Sequence, residues 1–96
     1  MSHPTIVKFR LYIADDALNS AQAQANLTAL CRLHLPERHH IEVVDVYREP
    51  QRALADAVFM TPTLIKLSPA PQRRIVGTLS QNQPVLRALG LGEGQE

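Results

Sequence analysis

The chain has 96 residues, of which 45% are hydrophobic and 20% charged, so it is the size and composition of one globular domain. Its net charge of +1 offers no broad basic field for a nucleic-acid backbone, and its single cysteine, Cys31, excludes a disulfide framework within the chain. The sequence has no apolar run of about 18 residues and no signal-peptide hydrophobic region, so we expect a cytosolic protein without membrane contact.

Residues 5–13 form the first predicted strand, because apolar side chains recur there at every second position. Its apolar face contains Val7, Phe9, Leu11 and Ile13. A helix is predicted from Asn19 or Ser20, both good N-cap types, to His34, since Pro36 blocks continuation. Its buried stripe is expected to contain Ala23, Leu27, Leu30 and His34, flanked by Cys31 and Leu33.

The second predicted strand, residues 40–46, is apolar enough to be covered on much of both faces. Pro50 suits the first turn of a short second helix, whose inner face is predicted to carry Leu54 and Val58. A third strand is predicted within residues 60–67, where Pro62 is tolerated at the start.

Residues 73–76 form a fourth predicted strand, and the last helix is predicted over residues 79–91. Ser80 is its N-cap candidate and Gly90 its terminator. The resulting order, β-α-β-α-β-β-α, is an α/β, thioredoxin-like arrangement. In that fold a cis-proline opens the third strand, so we expect a cis bond before Pro62. The domain is predicted to cover residues 1–91, followed by a flexible tail over 92–96.

Thioredoxin chemistry needs a thiolate at the N-terminus of the first helix, where the helix dipole lowers its pKa. The corresponding residues, 14–20, contain no cysteine, and Asp15 and Asp16 would oppose a thiolate. Cys31 lies further along the helix beside the predicted apolar stripe, where it is interpreted as a packed hydrophobe. The sequence therefore argues against redox function, and we predict no catalytic residue and no cofactor.

His34, His39 and His40 could meet around the turn after the first helix and hold a metal ion. Adjacent histidines on a strand point to opposite faces, which favours a solvated turn, and no metal site is predicted.

Aspartates at three positions need structural explanations. We interpret Asp15 and Asp16 as helix-capping residues. Asp45 lies between two valines and needs a partner if it is buried, for which Lys66 and Arg74 are candidates.

Lys66, Arg73 and Arg74 form a small basic group on the predicted hairpin, with the two arginines on opposite faces. This group is either a charged edge that prevents sheet-to-sheet aggregation or a contact site for an acidic protein surface. Together with Arg10 and Tyr12, on the second face of the first strand, these are our candidate partner-binding residues. The chain has only four aromatic residues, so nucleic acid is not an expected partner.

Several stretches resemble the KaiB family of bacterial clock proteins. They are residues 11–14 (LYIA), 19–23 (NSAQA), 43–46 (VVDV), 49–51 (EPQ), 60–66 (MTPTLIK), 69–71 (PAP) and 73–80 (RRIVGTLS). The resemblance covers roughly residues 6–91 at near-constant spacing.

The resemblance implies a non-catalytic protein that binds the ATPase ring of KaiC, a RecA-like hexamer, and forms a homo-oligomer such as a dimer or tetramer. KaiB proteins interconvert between a thioredoxin-like state that binds KaiC and a ground state with a rearranged C-terminal half. The segment after Val46 is the part that refolds in the family. Within it, Pro62, Gly77 and Thr78 are our candidate fold-switch or structural residues.

The sequence also departs from the family pattern. Asp15 and Asp16 replace a common Gly-Asn, Glu42 replaces a basic residue, Ala57 replaces a lysine, and Thr78 replaces a common aspartate. These changes favour a divergent homologue that works with a KaiC-like ATPase outside a cyanobacterial oscillator, or with another partner. The leading hypothesis is a regulatory protein that binds a KaiC-like ATPase and modulates a clock or stress-signalling complex. The alternatives are a thioredoxin-like adaptor without KaiC and a redox or glutathione-handling enzyme.

Overall fold

The computed structural model describes residues 5–15 and 17–90, which contain four strands and three helices. They are β1 (Val7–Ile13), α1 (Leu18–His34), β2 (His39–Asp45), α2 (Pro50–Ala55), β3 (Thr63–Ser68), β4 (Arg73–Val76) and α3 (Asn82–Leu89). This order confirms the predicted α/β, thioredoxin-like fold, whereas the predicted tail and Asp16 lie outside the described residues. Within those ranges, no helix combines the length and the apolar character that a membrane crossing requires.

The four strands form one sheet in the order β2-β1-β3-β4. Strand β1 runs parallel to β2 and antiparallel to β3, and β4 is antiparallel to β3. Ile13 therefore pairs with Asp45 at the ends of β1 and β2, while Tyr12 pairs with Thr63 at the start of β3. Consequently, the carboxyl ends of the parallel pair and the beginning of β3 meet at one edge of the sheet.

Each face of the sheet has its own apolar core. Helices α1 and α3 cover one face, where the buried side chains include Phe9, Leu11, Leu27, Leu64 and Leu89. The short helix α2 lies on the other face, which buries Tyr12, Val44, Ala53, Val58 and Ile65. Strand β1 contributes to both cores, so its predicted polar face is partly an interior face.

Helix α1 begins earlier than predicted, at Leu18, and neither Asn19 nor Ser20 caps it. The N-cap position is Ala17, and the buried Ser20 hydroxyl instead accepts a hydrogen bond from the Ala14 N–H at 2.9 Å. Asp15 is exposed with φ +52° and lies before the N-cap, so its predicted capping role is wrong. The side chain of Ser20 thus fixes the connection between β1 and α1.

The buried stripe of α1 is confirmed for Ala23, Leu27, Leu30 and Cys31. The prediction was wrong for Leu33, which is 71% exposed, and His34 is only half-buried. The core side of this helix is therefore narrower than the sequence pattern indicated.

Helix α2 differs from its prediction on the inner face. Leu54 is 69% exposed, and Ala53 is the buried residue of this helix. The helix ends at Ala55, and the left-handed backbone of Ala57 (φ +56°) turns the chain back. As a result, Val58 reaches the core from the following loop, where its N–H donates to the Ala53 carbonyl at 2.8 Å.

The C-terminal elements agree with prediction except at the two ends of α3, which was predicted over residues 79–91. The Thr61–Pro62 bond is cis as predicted, and β4 has its predicted bounds. Helix α3 begins at Asn82 with Gln81 as N-cap, so the prediction of Ser80 as its cap was wrong. Gly90 terminates the helix in the left-handed conformation (φ +75°), as predicted.

Two leucines of α1 test the assignment of its buried side. Leu27 is fully buried, so Leu27→Ala should lower the free energy of unfolding by about 2–5 kcal/mol through lost contacts and a residual cavity. The exposed Leu33 provides the matched control, because Leu33→Ala should change the free energy of unfolding by less than about 0.5 kcal/mol. Urea unfolding followed by circular dichroism measures both, and equal losses would contradict the assignment.

Candidate interaction surface

Three large apolar residues lie exposed near one edge of the sheet: Tyr47 at 75%, Phe59 at 81% and Met60 at 63%. They line an open depression of about 160 Å³ together with Ala14, Val46, Val58 and Thr61. We call Tyr47, Phe59 and Met60 the strand-end patch. Clustered exposed apolar side chains are typical of interaction sites, unlike single exposed leucines, so this patch is the candidate functional surface.

The topology of the sheet explains why the patch forms there. Tyr47 follows β2, whereas Phe59 and Met60 precede β3, and these strands flank β1 on its two sides. The chain leaves β1 towards β2 and later returns to β3, which makes the carboxyl end of β1 a topological switch point. Open α/β sheets commonly bind ligands in the crevice outside such a point.

Local hydrogen bonds hold the segments that carry the patch. The Tyr47 N–H donates to Asp45 Oδ1 at 2.8 Å, and the Thr63 hydroxyl donates to the Met60 carbonyl. The described contacts of Asp45 thus include its own turn rather than Lys66 or Arg74, so the predicted partners were wrong. The physical reason is that an aspartate at a strand end can accept a backbone N–H two residues on.

A network of ion pairs docks α2 on the sheet. Glu42 of β2 accepts hydrogen bonds from Arg10 Nε at 2.9 Å and from Arg52 Nη2 at 2.7 Å. Arg10 Nη1 also donates to Asp56 Oδ2 at 3.0 Å, and the same carboxylate accepts from the Tyr12 hydroxyl. These contacts join β1, β2 and the end of α2, and we call Arg10, Tyr12, Glu42, Arg52 and Asp56 the α2 clamp.

Hydrogen bonding keeps the carboxylates of the α2 clamp ionised. The hydrogen bond from Arg10, reinforced by that from Arg52, lowers the pKa of Glu42. The Tyr12 hydroxyl, followed by Arg10, lowers the pKa of Asp56. Burial and the Asp56 hydrogen bond raise the pKa of Tyr12 to about 12, so this hydroxyl remains a donor at neutral pH.

The structure separates the five predicted partner-binding residues. Tyr12 and Lys66 are buried, and Arg10 is half-buried in its ion pairs. Arg74 is exposed but donates to the carbonyls of Asp56 and Ala57, at the end of α2. Arg73 is exposed and pairs in register with Lys66, on the sheet face opposite Arg74 as predicted. In this conformation, most of the predicted set makes internal contacts.

The ammonium group of Lys66 lies at the end of α3. Its Nζ is 4.0 Å from the position that a Cβ on Gly90 would occupy. Cations are favoured at helix C-termini because of the helix dipole, so the burial of Lys66 next to this helix end is physically reasonable.

The three candidate fold-switch residues lie close together. The Gly77 N–H donates to the Pro62 carbonyl at 2.9 Å, which ties the end of β4 to the segment before β3. The adjacent Thr78 accepts a hydrogen bond on its carbonyl from Asn26 Nδ2 of α1 at 2.8 Å. The structure therefore brings together Pro62, Gly77 and Thr78 at a junction between the two halves of the chain.

The thiol and the histidines occupy structural positions. Burial raises the pKa of Cys31 to about 11, so this thiol is protonated at neutral pH and inert as a nucleophile. The His39 Nδ1–H donates to the Leu35 carbonyl at 2.8 Å, with the proton assigned from this acceptor. Among residues 5–15 and 17–90, no three histidine, cysteine or carboxylate side chains are placed to share a metal ion.

A second depression, of about 680 Å³, runs between α1 and the edge strand β2. Its lining includes Ala21, Ala25 and Ala29 from the helix and Ile41 and Val43 from the strand. Strand β2 is at the end of the sheet, so one row of its backbone groups has no neighbouring strand.

Solved structures with a similar backbone define the fold class. The N-terminal domain of SasA from Synechococcus elongatus superposes with a TM-score of 0.71 at 18% identity, covering 98% of this chain and 92% of that domain. The thioredoxin Deadhead from Drosophila melanogaster superposes with a TM-score of 0.70 at 12% identity, covering 88% and 79% of the two chains. This protein is therefore a thioredoxin-like α/β protein.

Sequence comparison places it more narrowly. Residues 10–91 match the model of the KaiB domain. The circadian clock protein KaiB3 from Synechocystis is 39% identical over 85 residues, which cover 88% of this chain and 83% of the relative. The chain belongs to the KaiB family, which confirms the resemblance noted in the sequence and supports a role as a circadian clock regulatory protein.

Asp56 provides a test of the α2 clamp. Asp56→Asn should lower the free energy of unfolding by about 1–2 kcal/mol at pH 7, because charge-assisted bonds to Arg10 and Tyr12 are weakened. The pKa of Asp56 is lowered by folding, so its contribution is present above the unfolded-state pKa of about 3.8. That contribution disappears as the pH falls through the folded-state pKa.

Urea titrations between neutral and acidic pH measure this difference. Asp15→Asn makes the same chemical change at an exposed position and should leave stability within about 0.5 kcal/mol of the parent at every pH. A loss at Asp56 that does not depend on pH would contradict the proposed role of the carboxylate charge.

Proposed function

We propose that this chain is a non-catalytic regulatory protein that binds a KaiC-like ATPase and thereby modulates a clock or stress-signalling complex. Membership of the KaiB family supports this role. The observation that carries the proposal is the strand-end patch, where three large apolar side chains are exposed at a topological switch point. We assign this patch as the contact surface for the ATPase.

The chemistry of α1 supports a binding role rather than thioredoxin-type catalysis. Its first residues are Leu18, Asn19 and Ser20, where thiol catalysis would require a cysteine. Cys31 is buried further along this helix, and its raised pKa disfavours the thiolate that disulfide exchange requires.

The sequence-predicted contact residues fit this proposal in two ways. Arg73 is exposed on β4 and can pair directly with an acidic group of a partner. Arg10, Tyr12 and Arg74 act through α2, because they hold the helix and its C-terminal end against the sheet. Lys66 acts through α3. Phe59 and Met60 follow α2 directly, so a stable α2 also stabilises the position of the patch.

We also propose that the segment after Val46 can adopt the rearranged fold implied by the family resemblance. Pro62, Gly77 and Thr78 are the proposed switch positions, since their contacts connect this segment to itself and to α1. Losing the two hydrogen bonds of this junction would release the segment after β4 from Pro62 and from α1, and β4 would then be held by its pairing with β3 alone.

Self-association into a dimer or tetramer is part of the same proposal. The open edge of β2 and the apolar depression beside it provide a surface on which another copy can pair its backbone. This surface lies on the opposite side of β1 from β3, so it is distinct from the segment proposed to refold.

The partner surface is tested by Phe59→Asp, which places a charge in the strand-end patch. We expect the parent protein to co-elute with a KaiC-like ATPase from the same organism in ATP or ADP, and the variant to bind at least about tenfold more weakly. Leu33→Asp is the matched control, because Leu33 is similarly exposed but lies at the far end of α1.

Circular dichroism should show that both variants remain folded. Equal binding by parent and Phe59→Asp would reject the patch as the contact surface. Failure of the parent to bind in every nucleotide state would reject the ATPase as its partner.

The proposed rearrangement is tested by Gly77→Ala. Gly77 has φ +127°, a backbone conformation that residues with a Cβ rarely adopt, although no atom lies within 4 Å of an added Cβ. The substitution should therefore destabilise the described fold by about 1–3 kcal/mol through backbone strain alone. Amide NMR spectra should show a second set of resonances, for residues after Val46, that gains intensity in the variant.

Ser80→Ala, an exposed change in the following loop, is the control and should leave the intensity ratio unchanged. A single set of resonances in Gly77→Ala, accompanied only by lower stability, would count against a second fold.

A further inference from the structure

Carboxylates outnumber cations in the connections that border the strand-end patch. Among the described residues of the connections 14–17 and 45–49 there are three carboxylates, Asp15, Asp45 and Glu49, and one cation, Arg48. Asp15 is exposed beside Ala14, which lines the depression, and Asp45 bonds the N–H of Tyr47 in the patch itself. Glu49 is partly neutralised by Arg52 at 3.2 Å.

The opposite end of the sheet has the reverse charge. Arg38 precedes β2, Lys8 lies near the start of β1 and Arg32 lies in the last turn of α1, against one carboxylate, Glu37, between α1 and β2. Among the described residues, the exposed carboxylate of Asp15 thus lies next to the depression, while Arg38, Lys8 and Arg32 lie away from it. Such a distribution orients an approaching partner and favours one sign of charge at the patch.

The aromatic composition of the patch favours the same sign. Tyr47 and Phe59 are both exposed, and the faces of aromatic rings attract ammonium and guanidinium groups. Met60 is flexible and polarizable, and it adapts to the shape of an aliphatic or aromatic side chain. A partner segment that combines an apolar anchor with neighbouring cations would satisfy all of these groups.

We infer that the strand-end patch recognises a protein segment in which an aliphatic or aromatic side chain is flanked by lysine or arginine. The anchor enters the depression of about 160 Å³, while the flanking cations face Asp15 and the exposed rings. Segments with acidic flanks are rejected by charge repulsion, so the carboxylates determine specificity. This inference rests on the proposed function, in which the patch contacts the ATPase, and it adds the chemistry of the contacted segment.

Two synthetic peptides test the inference directly. Both contain a central Leu-Phe pair, which is flanked on each side by two lysines in one peptide and by two glutamates in the other. The full chain labelled with ¹⁵N is titrated with each peptide, and amide shifts report the binding position. We expect the lysine peptide to shift the amides of Ala14, Tyr47 and Met60 and to bind at least about fivefold more tightly than the glutamate peptide.

Salt and substitution separate charge recognition from simple hydrophobic contact. In 1 M salt, where the Debye length is about 3 Å, the preference for lysine flanks should largely disappear. Asp15→Asn, which keeps a residue type tolerant of the left-handed backbone, should reduce the preference at low salt. Glu37→Asn is the matched control, because Glu37 is also exposed and left-handed (φ +59°) but lies between α1 and β2.

Equal binding of the two peptides, tighter binding of the glutamate peptide, or shifts confined to another surface would overturn the inference. Equal effects of Asp15→Asn and Glu37→Asn would do the same. Co-elution of the ATPase, abolished by Phe59→Asp, together with no peptide preference would reject the inference and retain the proposed function. A clear lysine preference without co-elution would retain the inference and reject the ATPase as partner.

Discussion

The pairing of β1 with two neighbours of opposite direction is the constraint on which the molecule depends. Because β1 is parallel to β2 and antiparallel to β3, the chain segments after β2 and before β3 must meet at the same end of the sheet. Those segments carry Tyr47, Phe59 and Met60. The strand-end patch is thus a consequence of strand order, since its residues are distant in sequence and become neighbours only through β1.

On the sheet face that α2 covers, charged residues stabilise the segment before the strand-end patch without belonging to the patch. Helix α2 has six residues and buries little apolar area, so Arg10, Glu42 and Asp56 supply much of its attachment. Hydrogen-bonded ion pairs among half-buried groups hold their geometry better than isolated surface pairs. Asp56 lies in the segment that leads from α2 to Phe59. The ion pairs of the α2 clamp therefore also hold the segment that carries the proposed contact surface.

The candidate site shows why exposure could not be inferred from residue type. From the sequence, we interpreted Arg10, Lys66 and Arg74 as part of a basic contact surface. Their contacts lie instead in other elements of this chain, and Arg10 and its partner Asp56 are 46 residues apart. Met60 opens the stretch in which the third strand is predicted, and the sequence pattern indicated no role for Tyr47 or Phe59. Tyr47, Phe59 and Met60 are large apolar residues that lie between the regular elements. Large apolar residues in such connecting segments were the signal that could have identified the patch.

The sequence by itself determined the element order, the cis-proline position and the family, because period-two alternation, proline and glycine positions, and the spaced motif from Thr61 to Ser80 are local properties. It also determined that a redox thiol is missing from residues 14–20. Only the tertiary structure decided that Tyr12 is buried, that Leu33 and Leu54 are exposed, and that Ala14, next to Asp15, lines the same depression as the apolar patch. These outcomes depend on which face a neighbouring element covers, and that is set by long-range packing rather than by local periodicity.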